Sequence, residues 1–187
     1  MVVGLSDREI TADIIESCRQ GDRDAFRVLY EAYNDKVYSV ALYFFHGDEA
    51  AASDLTQQVF LKLLRGIAQF RGDAGFSTWL YRLVVNACMD SARRARPREQ
   101  TTNTAEADAL AGPDSQEQDF ARQQTAHSVR SALAALPVKF RLPILLRYCE
   151  DLSYGEMAAA MNCSMGTVAS RLNRGHKLLA RKLESLR

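Results

Sequence analysis

The sequence predicts an all-α protein: two small helical domains joined by a flexible acidic linker, the C-terminal domain containing a helix-turn-helix. Three observations carry this. Apolar residues recur at three- and four-residue spacing almost throughout, and alternating β-branched runs are absent. The stretch Arg96–Ser115, RPREQTTNTAEADALAGPDS, is polar and acidic with two prolines, a composition that suits a linker. Ser153–Leu179, SYGEMAAAMNCSMGTVASRLNRGHKLL, reads as a short helix, a tight turn and a second helix that is cationic on its outer side. The division expected is residues 1–96 for the first domain, 97–118 for the linker and 119–187 for the second domain.

In the first domain, a helix is expected over Asp7–Cys18, broken by Gly21-Asp22. Asp22 or Asp24 caps the next helix, whose apolar side is Ala25, Phe26, Leu29, Tyr30 and Tyr33, continuing through Val37, Val40, Ala41 and Phe44. His46-Gly47-Asp48 is the next break. A third helix runs from about Glu49 to Ile67, with Leu55, Val59, Phe60, Leu63 and Leu64 inward. After the loop Phe70–Phe76, Ser77 is expected to cap a fourth helix from Thr78 to about Arg94. Together these make a helical bundle.

In the second domain, a helix is expected from about Asp119 to Leu136, ending at Pro137. Another spans Phe140–Cys149 with Leu142, Ile144, Leu145 and Tyr148. Ser153 then caps the first helix of the helix-turn-helix, and Glu156 three residues later completes a capping box. Met157, Ala158 and Met161 form its apolar side, Ala158 being small where two helices cross. Asn162 suits a left-handed turn, and Ser164 can cap the second helix. On that helix Val168, Leu172, Gly175 and Leu179 share one face. Ser170, Asn173, Arg174 and Lys177 lie opposite, with Arg171 on the flank. Such side chains reach base edges or phosphates in a major groove. Taken alone, an amphipathic helix with a solvated basic face would look the same.

Composition agrees once the chain is divided. The net charge of the 187 residues is only +1. Residues 1–97 carry −1, residues 98–125 carry −4 and residues 126–187 carry +6, so the cationic charge sits at the C-terminal end, where phosphate contact is expected. Cys18, Cys88, Cys149 and Cys163 show no CxxC spacing, and His46, His127 and His176 do not cluster with them. No metal site and no cofactor is expected. No signal peptide and no apolar run near membrane-spanning length is seen, so a cytoplasmic location without membrane insertion is expected.

A second informative stretch is FRGDAGFSTWLYRLVVNACMDSARRARP. Phe70, Phe76, Trp79 and Tyr81 crowd together, with Arg71, Arg82, Arg93, Arg94 and Arg96 interleaved or close behind. Aromatics beside arginines suit unstacked bases, and an amide such as that of Asn86 can bond the edge of an extruded base. Composition alone favours the plainer reading, in which the aromatics are core and Asn86 caps or solvates something local.

The two stretches together resemble one family, the small two-domain bacterial sigma factors of the extracytoplasmic-function (ECF) group. The matching segments are Gly21-Asp22 with Ala25-Phe26, DLTQQVFLKL (Asp54–Leu63), FRGDAGFSTWLYRLVVNACMD (Phe70–Asp90), Leu136-Pro137, LSYGEMAAAM (Leu152–Met161) and GTVASRLNRG (Gly166–Gly175). The resemblance implies a promoter-specificity subunit without chemistry of its own. It would bind core RNA polymerase through the β′ and β subunits and recognise promoter DNA. It implies docking on the β′ clamp helices through Asp54, Leu55, Gln57, Gln58, Phe60, Lys62 and Leu63. It implies recognition and melting of the −10 element through Phe70, Arg71, Gly72, Asp73, Phe76, Leu83, Asn86, Arg93 and Arg94, with Phe70, Leu83 and Asn86 holding a flipped base. Thr167, Ser170, Arg171, Asn173, Arg174 and Lys177 would read the −35 element, the linker would thread the RNA-exit region, and an anti-sigma factor would hold the protein inactive. Two positions depart from the pattern. Gln58 stands where the family often has an acid, and Ala169 where it often has Lys or Arg.

A conventional helix-turn-helix regulator acting as a dimer is the alternative. It would need a ligand pocket, a phospho-acceptor site or a dimer seam in the first 97 residues, and none is evident. A nucleic-acid-processing enzyme would need a carboxylate cluster, metal-ligand spacing or a phosphate-cradling loop, and none of these stands in the sequence either.

Overall fold

A computed structural model of the protein describes residues 10–72, 75–95, 125–126 and 128–184, and all regular structure among these is helical. The order is α1 (Ala12–Arg19), α2 (Arg23–Phe44), α3 (Glu49–Gly66) with a 3-10 turn (Ile67–Gln69), α4 (Phe76–Ala95), α5 (128–134), α6 (Val138–Tyr148), α7 (Tyr154–Ala160) and α8 (Met165–Glu184). The expected linker 97–118, the ends of two expected helices (7–9 and 119–124) and Asp73 lie outside the described residues.

Local chemistry sets most boundaries. Asp22 accepts from the amides of Asp24 and Ala25, and Asp48 from that of Ala51, so both carboxylates satisfy donors that a helix start leaves open. Ser153 and Glu156 close a reciprocal capping box on α7. The helices α1, α2 and α7 all end the same way. The amide two residues past the C-cap reaches back to the carbonyl five positions earlier: Asp22 to Ser17, Gly47 to Leu42, Cys163 to Ala158. The residue that makes each reversal has positive φ: Gly21 at 87°, His46 at 64° and Asn162 at 48°.

Two expected starts are displaced. Ser77 does not cap α4; the helix begins at Phe76, and the carbonyl of Gly75 accepts the amide of Trp79 at 3.1 Å. Phe76 is buried with its ring 5.7 Å from that of Tyr33, so core packing draws the chain into helix two residues early. Likewise α6 begins at Val138, directly after Pro137, and Pro143 lies inside it. Proline has no amide to donate there, and the buried leucines around it hold the helix together.

In the first half, α3 packs along α2, and α4 closes the bundle against α3. Leu29, Val37, Val40, Val59, Leu63, Leu80 and Val84 are fully buried at its centre. In the second half α6, α7 and α8 pack on one another, around Leu142, Leu145, Met157, Val168 and Leu172. The α6–α8 crossing is close because Gly175 faces α6. A Cβ at that position would stand 2.9 Å from Ile144 Cδ1 and 3.2 Å from the carbonyl oxygen of Phe140. The second atom is backbone and cannot swing aside. Gly175→Ala is therefore expected to destabilise the C-terminal half by about 1–3 kcal/mol, despite alanine's better helix propensity. Denaturant melts of wild type and variant check this. A gain of stability would mean that the crossing has slack.

The halves are also in contact. α6 packs on α2 and α4, α7 packs on α4, and the buried apolar residues of both halves form one cluster. Arg141 of α6 crosses the junction. It is 8% exposed and donates to the carbonyl of Phe44 at 2.8 Å, and it meets His46 Nε2 at 3.2 Å. Within its own half it donates to the carbonyls of Ala134 and Leu136 at 3.1 and 3.0 Å. Its guanidinium lies 5.3 Å from the centre of the Phe44 ring, within cation–π range. Tyr81 of α4 donates to the carboxylate of Glu150, just past α6.

Candidate nucleic-acid interface

Three apolar rings define the start of α4. Phe70 lies 5.7 Å from Phe76 and 5.4 Å from Trp79, and Phe76 lies 5.9 Å from Trp79. Phe76 is the buried member and is not available to a ligand; Phe70 and Trp79 are half-buried and keep an open side. One helical turn past Trp79 stands Leu83, also half-buried, and then Asn86, exposed. Trp79, Leu83 and Asn86 thus follow one another along a single face of α4, with Phe70 stacked at its head. Asn86 makes no side-chain hydrogen bond among the described residues. An apolar strip ending in an uncommitted amide is suited to a flat heterocycle with polar edges. Arg71 and Gly72 are exposed beside Phe70, where the loop passes α1.

The cations after this strip converge. Arg93 pairs with Asp90 at 3.3 Å, the Arg94 side chain donates to the Asp90 carbonyl at 3.3 Å, and Lys62 of α3 reaches the Asp90 carboxylate at 3.9 Å. Arg93 and Arg94 were expected at DNA and Lys62 at polymerase, and the fold gathers all three around one residue, Asp90. These pairs are solvent-exposed and weak, so the arginines remain available to phosphate.

On α3, the residues expected to dock fall into two sets. Asp54, Gln57, Gln58 and Lys62 are exposed. Leu55 and Phe60 are 4% exposed and Leu63 fully buried, inward as the helix period predicts, so they support the helix from the core. Leu64, expected inward, is instead 51% exposed, and Leu61 is 45% exposed. Tyr30, also expected inward, is 42% exposed and stacks at 4.7 Å on Phe60. Periodicity places Leu61 on the polar side with Gln57 and Gln58, and that misplaced leucine was the available signal. Exposed leucines one turn apart on an otherwise polar face mark an interface.

On α8, Ser170, Asn173, Arg174 and Lys177 are all exposed on one side, opposite the buried Val168, Leu172 and Gly175. Arg171 is half-buried, near Cys163 Sγ. Thr167 is half-buried and engaged in the cap, its amide donating to Ser164 Oγ at 3.2 Å. Ala169 is half-buried and presents no polar group. Met165, at the first position of α8 and 60% exposed, was not singled out from the sequence, although the first turn of such a helix enters the groove. Tyr148 was named with the apolar residues of its helix. It is 69% exposed, with its hydroxyl 3.2 Å from His176 Nε2.

Burial raises the thiol pKa of three of the four cysteines. Burial pushes the Cys88 thiol up to about 12, an effect that nearby Arg141 only partly opposes. Burial, then Glu150, raises that of Cys149 to about 11, and Cys18 is raised by burial and Asp22. Among the described residues no group of three or more His, Cys, Asp or Glu is placed to hold a metal ion. No helix among them is long and apolar enough to cross a membrane.

Two family models match the chain: Sigma-70 region 2 over residues 29–98 and Sigma-70 region 4 over residues 126–179. The chain is 32% identical to the RNA polymerase sigma-H factor of Pseudomonas aeruginosa, over 96% of each protein. It is 34% identical to the ECF RNA polymerase sigma-E factor of Escherichia coli K12, covering 97% of this chain and 98% of that one. The fold is also that of two solved structures. CnrH in complex with the cytosolic domain of CnrY matches with a TM-score of 0.70 at 22% identity, over 95% of this chain and 99% of that chain. The sigma factor RpoE in complex with the anti-sigma factor NepR, from Bartonella quintana, matches with a TM-score of 0.68 at 21% identity, over 85% and 96%. The chain belongs to the sigma-70 family of promoter-specificity subunits, in its extracytoplasmic-function group.

Proposed function

We propose that this protein directs core RNA polymerase to promoters by three surfaces with separate tasks. The outer face of α3, with Asp54, Gln57, Gln58, Leu61, Lys62 and Leu64, docks on polymerase. The strip Phe70, Leu83 and Asn86 captures a base of the melted −10 element, with Arg71, Arg93 and Arg94 on the phosphates. The face Ser170, Asn173, Arg174 and Lys177 of α8, with Arg171 at its edge, reads the −35 duplex. The protein acts in the cytoplasm, performs no bond chemistry of its own, and is held inactive by an anti-sigma factor that covers these surfaces. The observation that carries the proposal is the strip on α4, where an apolar rim and an uncommitted amide stand in line, in the same chain as a basic recognition helix.

Two weak DNA contacts on one tethered chain gain by effective concentration once polymerase fixes their spacing. The free protein should therefore bind promoter duplex poorly. In vitro transcription with core polymerase and a promoter library tests the proposal. Promoter-directed initiation that depends on the protein supports it. Tight, sequence-specific duplex binding by a dimer without polymerase overturns it.

Arg174→Ala is expected to reduce transcription from −35-dependent promoters by roughly 5- to 100-fold, since a good bidentate base contact carries about 1–3 kcal/mol. Affinity for core polymerase should stay within twofold in a direct binding titration. An equal fall in core affinity would remove α8 from the role of reader.

A further inference from the structure

The outer face of α8 is not polar throughout. Met165, Ala169, Asn173 and Lys177 follow one another at four-residue spacing, so they form one continuous ridge along the helix. The later half of that ridge is an amide and an ammonium, whereas the first half is apolar. Met165 is 60% exposed. Among the described methionines, Met157 is buried in the core and Met89 and Met161 pack against it, but Met165 does neither. Gly166 and Ala169 beside it carry almost no side chain. The space over Gly166 is open, with Ser164 Oγ at 3.9 Å the nearest atom beyond its chain neighbours to a Cβ placed there. The thioether of Met165 therefore stands out from the helix surface.

A single exposed methionine elsewhere on the surface would need no explanation. This one stands where the duplex is expected. Residues 126–187 carry a net +6, Asn173, Arg174 and Lys177 are exposed on the same helix, and the first turns of a recognition helix enter the major groove. An apolar side chain pressed against the groove floor gains only where it meets another apolar group. Of the four bases, thymine presents one there, its 5-methyl. Ala169, half-buried one turn further on, suits the same use, since its methyl offers neither charge nor hydrogen bond. Residues four apart on a helix are about 6 Å apart along its axis, and base pairs are stacked about 3.4 Å apart, so the two apolar positions cover neighbouring steps.

We propose that Met165, with Ala169 behind it, is a specificity-determining contact that reads thymine in the −35 element through its 5-methyl group. The inference rests on the three-surface reading above and deepens it. The first turns of α8 then select a base by apolar contact, while the polar residues further along supply hydrogen bonds and charge. Asn173, next on the ridge, suits an adenine close to that thymine.

Deoxyuridine tests this, because it keeps every hydrogen-bonding group of thymidine and lacks only the methyl. A −35-dependent promoter is taken from the library, and each thymidine of its −35 element, on either strand, is replaced in turn. These positions lie upstream of the transcribed region, so run-off transcription by core polymerase and the full-length chain reads recognition alone. For the wild type, one replacement, or two neighbouring ones, should lower transcription by about fourfold each, the factor that corresponds to about 0.8 kcal/mol for one buried methyl-sized group. Met165→Ala should fall on the thymine template to the level that the wild type reaches on the uracil template, and its own response to that replacement should vanish. Met165→Leu, which keeps an apolar side chain of similar length, should retain the response. Circular dichroism verifies that both variants fold. A wild type indifferent to every replacement overturns the inference. So does a Met165→Ala variant that still distinguishes the two templates, which would give Met165 a merely structural role, or a selected −35 element with no thymine on either strand. If the wild type initiates from these promoters and Arg174→Ala lowers that activity while no deoxyuridine matters, the methyl contact alone falls. If initiation does not depend on a −35 element at all, the three-surface reading falls and the methyl contact with it.

Discussion

Asn86→Ala is expected to lower the rate of open-complex formation by roughly 10- to 100-fold while core polymerase binding stays within twofold. Asn86 is exposed on α4, two turns past Trp79, and makes no side-chain hydrogen bond among the described residues. Its removal should therefore leave the stability of the bundle nearly unchanged, as for other surface substitutions. Whatever effect appears is an effect on a ligand. A base taken out of the stack loses a few kcal/mol of stacking and pairing, which the receiving site must offset. The half-buried rim of Phe70 and Leu83 can supply apolar contact to the ring, but only a polar group can satisfy the exposed base edge. Losing that group forfeits about 1–3 kcal/mol, which sets the predicted factor. Permanganate footprinting of the melted region and a competition titration for core separate the two steps. A matched loss in both would place Asn86 at polymerase rather than at DNA. A heteroduplex template already open across the −10 region should recover much of the lost activity, because the unstacking has then been done in advance.

The parts of this molecule that were legible in the sequence are those set by neighbours along the chain. Ser153 with Glu156, Asn162 and the Ser164 cap on α8 depend on residues a few positions away, and each is in place. The split of α8 into a buried and a basic face followed from the 3.6-residue period alone. Burial, by contrast, was misjudged wherever an apolar residue serves the surface. Leu64 and Tyr30 carry the helix period of a core yet are exposed, since the period reports a face and not what covers it. Leu55, Phe60 and Leu63 followed the period, and they support the docking helix from inside. The seam between the halves was not legible at all. Arg141 counts in the sequence as one of ten cationic residues in a basic C-terminal segment, and nothing local marks it as buried. Its partner carbonyl at Phe44 lies 97 residues earlier. Only tertiary structure brings them together.

Arg141→Met should be the most damaging single substitution at that seam, with an expected loss of about 3 kcal/mol from the C-terminal half. Two effects oppose each other. Methionine of similar length removes a charge whose burial is expensive, and replacing buried ions with apolar side chains is sometimes stabilising. That gain requires the former partners to be satisfied elsewhere. Here the partners are the carbonyls of Phe44, Ala134 and Leu136, and Arg141 holds them together from one fork. Methionine offers them nothing. Each buried carbonyl left without its donor costs about 1–3 kcal/mol unless water enters. The Phe44 carbonyl can be rehydrated by opening the seam, whereas those of Ala134 and Leu136 belong to the turn between α5 and α6 and stay within the C-terminal half. The balance is therefore unfavourable, and it has two separable signatures. Guanidinium melts should show the C-terminal transition moved down by about 1–1.5 M, for an m-value near 2 kcal/mol/M. Scattering should show the halves apart even before melting begins. Arg141→Lys keeps the charge but cannot reach three carbonyls from one ammonium, so it should fall between the variant and wild type. A midpoint unchanged in Arg141→Met would mean that relief of desolvation equals the lost bonds, and that apolar packing alone holds the turn.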